Sequence, residues 1–334
     1  AQTAEAKGAV VLFHRGHEHG GRMAHLVDEL HVPEHAFYAW DARGHGRSPG
    51  ERGYSPSFAA SVRDVECFMR EIRERDGFGE ERISVIAQSV GAVLAATWVH
   101  DYAPKIRALV LASPAFSVKL YVPFARSGIA LWQRLKGRFF VNSYVKARYL
   151  THDPERIASF EADPLITRPI ASTILLDLYG HAERIVADAR AITVPTQLLI
   201  SGSDWVVRHG PQHEFFVNLA SPAKARHVLP GFFHDTLGER DRAKAVALAR
   251  DFILRQEEAH EPAQDLTKAD RSGWTRDEAD RLASPLPSLS PRGIYWALSR
   301  AFIRMGGWVS KGIATGVRTG FDSGSTLDYV YENE

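Results

Sequence analysis

The chain has 334 residues, 45% hydrophobic and 24% charged, with a formal net charge of +1. That balance fits a folded protein with a core of its own and excludes the global basic field that nucleic acid demands. A single cysteine, Cys67, rules out an internal disulfide, and no apolar run approaches the ~20 residues of a membrane span.

Residues 9–13 form a short apolar run that predicts a buried strand. It feeds a loop rich in histidine and glycine, His14-Arg15-Gly16-His17-Glu18-His19-Gly20-Gly21-Arg22. A second strand, around 36–40, runs into another glycine-rich loop from Asp41 to Arg52. Glycine suits both places, because backbone must turn sharply at the top of a sheet. Val62, Val65, Phe68, Met69 and Ile72 recur at helical spacing, and Cys67 among them is expected in the core. His14, His17 and His19, with Glu18 between and His25 beyond, are close enough to consider a zinc site. The stretch is a glycine-broken loop and not a helix face, so a hydrogen-bonded loop is preferred and no metal or cofactor is expected.

The strongest signal is Ile83-Ser84-Val85-Ile86-Ala87-Gln88-Ser89-Val90-Gly91-Ala92. A β-branched run enters small-x-Ser-x-Gly and an alanine-rich helix follows, which is the sequence form of a nucleophile elbow. Ala87 and Gly91 are small because that turn brings backbone segments close together, and the turn exposes the Ser89 hydroxyl. The bland alternative is a serine that merely caps a helix. From 115 to 192 the strand–helix alternation stops. This segment is rich in aromatic and basic side chains, with a helix start at Asp153-Pro154-Glu155 and helix from 172 to 179. The segment from Val194 to Asp204 reads as a buried strand ending in a polar loop, and Asp204 lies just past the strand, where open α/β sheets keep their chemistry. Residues 225–229 form another short strand, followed by a Pro230-Gly231 turn and His234. His209, His213 and His227 compete with His234, but His213 falls in a predicted helix and His227 inside the strand. Asp235, beside the candidate base, is read as structural. The order serine, aspartate, histidine is that of α/β-hydrolases. A serine hydroxyl needs an imidazole base, and the imidazole needs a carboxylate to fix its tautomer.

The two glycine-rich loops carry a resemblance. His14 to Arg22 resembles the His-Gly-x-x-Glu-His-Ser-Gly-Arg loop of monoacylglycerol lipases and lysophospholipase-like hydrolases, of the serine aminopeptidase S33 type. Asp41 to Arg52 resembles their Asp-x-x-Gly-His-Gly-x-Ser-x-Gly-x-Arg loop. With the elbow, Asp204 and His234, the resemblance covers about residues 8–258. It implies an α/β-hydrolase fold, a mostly parallel central sheet with helices on both faces. Residues 1–114 and 193–259 would be the core, and 115–192 a helical cap that covers Ser89 and shapes an apolar pocket. It also implies a serine hydrolase that cleaves carboxylic esters of monoacylglycerol or lysophospholipid type through an acyl-enzyme. The triad would be Ser89, Asp204 and His234, and the backbone N–H groups of Gly16 and Val90 the oxyanion hole. The substrate would be a small-molecule or lipid ester. A thioesterase, an acyltransferase and a non-catalytic lipid- or partner-binding module on the same fold stay open as alternatives. Arg15 departs from the family's glycine. Two readings follow: a cation beside the oxyanion hole that favours anionic substrates, or a surface arginine facing solvent.

Residues 242–259 read as the last body helix, and Pro285, Pro287 and Pro291 mark 260–292 as a polar linker. The segment 293–334 begins with an apolar stretch carrying Arg300, Arg304, Lys311 and Arg318, with no acid from Arg292 to Gly320. It reads as an amphipathic helical segment, packed on the body or on a second copy. The other reading is peripheral contact of residues 293–320 with an anionic membrane. Without a signal peptide or span, a cytoplasmic location is expected. Residues 319–331 resemble the segment that joins an α/β-hydrolase to a SAM-dependent methyltransferase in some bacterial bifunctional proteins. That implies a fused or partner methyltransferase domain, although no methyltransferase glycine motif occurs and no SAM site is assigned. The chain starts at Ala1, almost at a strand that is third in this fold, so either a removed upstream hairpin or a fragment or processed form is expected.

Overall fold

The structure is a computed structural model that describes residues 6–143 and 145–259. The expected linker 260–292 and amphipathic segment 293–334 lie outside the described residues. The chain opens with β1 (Gly8–Phe13), α1 (Leu26–Glu29), β2 (His35–Ala39) and α2 (Phe58–Asp76), and continues through β3 (Ile83–Gln88), α3 (Val90–Tyr102) and β4 (Ala108–Ala112). An insertion follows, made of α4 (Ala125–Lys136), β5 (Phe140–Asn142), α5 (Pro154–Ala162), β6 (Pro169–Ala171) and α6 (Ser172–Ala187). The chain returns with β7 (Thr196–Ser201), α7 (His209–Asn218), β8 (Lys224–Leu229) and α8 (Ala243–Glu258).

Six strands form one sheet in the order β2-β1-β3-β4-β7-β8, and every pairing in it is parallel. Parallel strands need covering on both faces, and alternate residues supply the two cores. Val11, Phe13, Val85, Ala87, Leu109, Leu111 and Leu198 face one side with α2, α3 and α6. Val10, Leu12, Ile86, Val110 and Leu199 face the other, against Leu26 of α1 and Val246, Phe252 and Ile253 of α8. This is the expected α/β-hydrolase arrangement. The strand order reverses between β1 and β3, so the loops after these two strands open a crevice at their carboxyl ends.

The local rules behind the elements are visible. Ser57 caps α2 by accepting from the Ala60 N–H, and Gly77 ends it in the left-handed region at φ 73°. Asp153 caps α5, accepting from Glu155 and Arg156 N–H, with Pro154 in the first turn. Cys67 contradicts its expected place, because its side is exposed. The buried stripe of α2 is Val62, Val65, Met69 and Ile72, and a residue two positions after Val65 sits roughly 200° around the helix. The insertion is not helical throughout, since β5 and β6 pair antiparallel. Its helices also differ. α6 buries Leu178, Ala182 and Ile185 in the core, whereas α4 has no buried residue. No helix among the described residues is long and apolar enough to cross a membrane.

Candidate active site

β3 delivers Ser89 at φ 55° and ψ −117°, a conformation that residues with a Cβ avoid. The turn is tight as well as strained. A Cβ on Gly91 would lie 2.4 Å from the His14 carbonyl oxygen and 2.8 Å from that of Phe13, which explains the glycine. The turn is held by the Ser89 N–H donating to the Ala112 oxygen (3.0 Å) and by the Ser89 oxygen accepting from Ala115 N–H (3.1 Å).

Three elements then converge. His234, in the loop after β8, has Nε2 2.7 Å from Ser89 Oγ. Its Nδ1 is 2.8 Å from Asp204 Oδ2, in the loop after β7. Asp204 Oδ1 accepts from the N–H groups of Val206 (2.7 Å) and Val207 (3.0 Å). Burial works against a charged Asp204, but His234 and the two N–H groups outweigh it and hold the carboxyl below its ordinary value. With Asp204 accepting at Nδ1, the neutral imidazole carries its proton there and Nε2 can accept from Ser89. The rival histidines go elsewhere: His209 Nε2 donates to the Ser201 oxygen, and His213 Nδ1 accepts from Arg226.

Gly16 follows β1 and lies against the elbow. A Cβ on Gly16 would be 3.0 Å from Val90 Cγ2, so the first loop and the start of α3 face each other across the crevice. Both residues line a cavity of about 470 Å³ with Ser89 and His234. Its walls are mostly apolar, including Leu94 and Val206 from the body and Leu150, Phe160, Ile174 and Leu178 from the insertion. A concave apolar site with a few convergent polar groups is the usual form of a small-molecule site.

The surface reading of Arg15 is overturned, and the residue lines the cavity beside Gly16 with its charge matched by carboxylates. Its side chain is 5% exposed, and Nε and Nη2 fork onto Glu18 at 2.9 and 2.5 Å. Asp235 Oδ2 lies 3.5 Å away. The residue is therefore a neutralised, buried ion pair, because a cation so far from water must find carboxylates. It also imposes no left-handed backbone; His17, at φ 70°, is the first-loop residue that carries one.

The histidine cluster is divided among separate partners. His14 Nδ1 donates to the Arg15 oxygen (2.6 Å) while Nε2 accepts from Ala42 N–H (3.1 Å), and burial, helped by His45, lowers its pKa to about 4. His17 Nδ1 donates to Thr167 O (2.7 Å), and burial lowers its pKa to about 4. His19 bonds Asp163 (2.9 Å), and His25 donates to Leu237 O (2.8 Å). No group of three or more metal-ligating side chains assembles among the described residues. Instead, His17 and His19 fasten the first loop to the insertion. The second glycine-rich loop is fixed by Asp41, which accepts from Gly20 and Arg47 N–H, each at 2.7 Å.

Sequence reasoning missed the residues packed behind Ser89, His234 and Asp204. Asp235 accepts from Gln88 Nε2 (3.0 Å) and Arg156 Nε (2.7 Å). Ser201, Thr236 and Ser113 share a buried hydroxyl network that joins β4, β7 and the histidine loop. Residues from five separate segments meet here, and no spacing signals that.

Residues 4–241 match the family described as serine aminopeptidase, S33. The chain belongs to this family. A second family model, described as a putative methyltransferase, matches residues 249–334, starting inside α8. Among the S33 chain's relatives is the uncharacterized protein YnbC of Escherichia coli (strain K12), 58% identical over 98% of this chain and 56% of that protein. The chain thus spans little more than half of that relative. The monoacylglycerol lipase of Mycolicibacterium smegmatis is 26% identical over 71% of this chain and 85% of the relative. Of solved structures, the monoacylglycerol lipase of Paleococcus ferrophilus superposes with a TM-score of 0.68 at 21% identity, covering 76% of this chain and 96% of the other. A monoglyceride lipase of Saccharomyces cerevisiae gives 0.67 at 16% identity, covering 75% and 87%. These two likenesses establish the S33 chain's fold.

Proposed function

We propose that this chain is a serine hydrolase that cleaves carboxylic esters of monoacylglycerol or lysophospholipid type. The observation that carries the reading is the hydrogen-bonded series Ser89–His234–Asp204, opening on an apolar cavity. His234 Nε2 takes the hydroxyl proton as Ser89 Oγ attacks the acyl carbonyl. Asp204 holds the imidazole's tautomer and stabilises the imidazolium that forms. The carbonyl oxygen becomes an oxyanion, which the N–H groups of Gly16 and Val90 would receive. His234 then returns its proton to the leaving alcohol, an acyl-Ser89 ester remains, and water attacks it by the same steps in reverse order.

Residues 115–192 serve as the cap in this reading, and the apolar walls they add favour an acyl chain over a polar peptide. The monoacylglycerol lipases among the relatives support the same class. The match of residues 249–334 supports reading the chain as the hydrolase portion of a longer hydrolase–methyltransferase protein.

The deciding experiment is hydrolysis of p-nitrophenyl esters from two to sixteen carbons, with Ser89→Ala alongside. Turnover that depends on Ser89 and peaks at medium or long chains is expected, followed by turnover of monoacylglycerols and lysolipids. Absence of Ser89-dependent turnover at every length overturns the proposal.

A further inference from the structure

The acyl-transfer steps above leave the Arg15 side chain unused, although it sits one residue before Gly16. The guanidinium bridges two buried carboxylates, Glu18 and Asp235. Asp235 directly follows His234. Its Oδ1 accepts from Gln88 Nε2 at 3.0 Å, and Gln88 directly precedes Ser89. The same Gln88 nitrogen donates to the His234 carbonyl oxygen at 3.2 Å. Asp235 Oδ2 takes Arg156 Nε at 2.7 Å, so the carboxylate is held from the insertion as well. One buried carboxylate therefore meets the neighbours of all three reacting groups: Arg15 beside Gly16, Gln88 beside Ser89, and its own backbone beside His234.

Burying such charges is costly, and an apolar side chain of similar volume often serves stability as well or better. What the ion pair supplies that an apolar residue cannot is direction. A planar fork fixes two oxygens of Glu18 while its outer nitrogen faces Asp235.

We infer that Arg15 is a positioning residue, which through Glu18 and Asp235 sets the Gly16 N–H in register with the Ser89–His234 pair. The inference rests on the proposed roles of Ser89 and Gly16. Arg15 acts through Gly16, so its loss lowers the rate of the chemical step and leaves substrate binding alone. A misplacement of about 1 Å can cost roughly 10²-fold in rate, and loss of one oxyanion donor costs about 10²–10³-fold.

The test uses the full chain with Arg15→Met, Arg15→Lys and Asp235→Asn. Three quantities are read: kcat and KM on a p-nitrophenyl ester, the second-order rate of Ser89 labelling by a fluorophosphonate, and the melting temperature. Arg15→Met is expected to lower kcat and the labelling rate roughly 30- to 100-fold with KM nearly unchanged. Arg15→Lys should recover part of both, because it restores the charge without the fork. If Arg15→Met does not fold, Asp235→Asn decides by the same readouts, with a smaller loss since its Gln88 contact can persist. A variant that melts lower but keeps the wild-type kcat and labelling rate overturns the inference, as does an effect confined to KM. A wild-type protein that the phosphonate does not label at Ser89 overturns the underlying functional reading, and the inference with it.

Discussion

Replacing Asp204 by asparagine tests the proposed triad at its buried carboxylate. In the wild type Oδ1 accepts two backbone N–H groups, from Val206 and Val207, and Oδ2 faces His234 Nδ1 at 2.8 Å. An amide has one oxygen and one NH2 to place in those two positions. Leaving a buried N–H unsatisfied costs roughly 1–3 kcal/mol, and two such groups compete with a single imidazole nitrogen. The amide oxygen therefore stays on Val206 and Val207, and the NH2 turns to His234. Nδ1 must then accept, its proton moves to Nε2, and Nε2 can no longer take the Ser89 proton across 2.7 Å. The expected loss is about 10⁴-fold in kcat, equivalent to about 5.5 kcal/mol of barrier. KM should stay close to the wild-type value, because no cavity wall changes. The melting temperature should fall modestly at pH 7, because the charge held below its ordinary value is lost while every hydrogen bond around the side chain has a replacement. Steady-state hydrolysis of a p-nitrophenyl ester, paired with calorimetry on the same sample, gives both numbers. A folded Asp204→Asn protein within tenfold of wild-type kcat would refute the tautomer argument.

Other consequences are as direct. Ser89→Gly should be more stable than Ser89→Ala by about 1 kcal/mol and melt higher, the relieved strain of roughly 1–3 kcal/mol less the entropy cost of glycine; a lower melting point for glycine would remove strain from the elbow. Burial opposes a charged Asp41, but the Arg47 and Gly20 N–H groups hold its carboxyl below the ordinary value. Its contribution is then present above about pH 4 and fades as pH falls through the lower folded value. Asp41→Asn should accordingly melt below wild type at pH 7, with the gap closing toward pH 3 in a fluorimetric melting series; a gap independent of pH would contradict this. Ile174→Trp, on the cavity wall, should move the ester optimum to shorter chains while acetate turnover holds, and an unchanged chain-length profile would place the acyl chain elsewhere. Exhaustive chelation should leave turnover intact, because His14, His17, His19 and His25 each engage a different partner; a loss restored by added zinc would reopen the metal reading.

Much of the sheet was legible because β1 and β3 are largely apolar runs that end in glycine-bearing loops, whereas β4 went unrecognised and its following loop, Ser113-Pro114-Ala115, has no glycine. Ser89 and Asp204 stood out because each lies just past a buried strand, and His234 because it follows the Pro230-Gly231 turn. Cys67 was misplaced because a hydrophobic stripe was recognised without its phase, and two positions decide which side of a helix a residue takes. The β5–β6 pair escaped notice because three-residue strands carry no periodicity. The burial of Arg15 was not legible because one of its partners, Asp235, lies 220 positions further on, and only the closed fold brings a loop after β1 against a loop after β8.

The insertion joins the rest of the molecule unevenly. Its later half is stitched to the first loop by Thr167 on His17, Asp163 on His19 and Ser159 on Arg22, and to the residue after His234 by Arg156. Its earlier half, α4, buries no side chain and meets α6 through a surface pair between Arg126 and Glu183. Exchange of residues 122–137 for another sequence would alter which molecules enter and leave the turnover of those that do. The same exchange over 151–171 is expected to alter both together, since those residues bond to the first loop and to Asp235 beside His234.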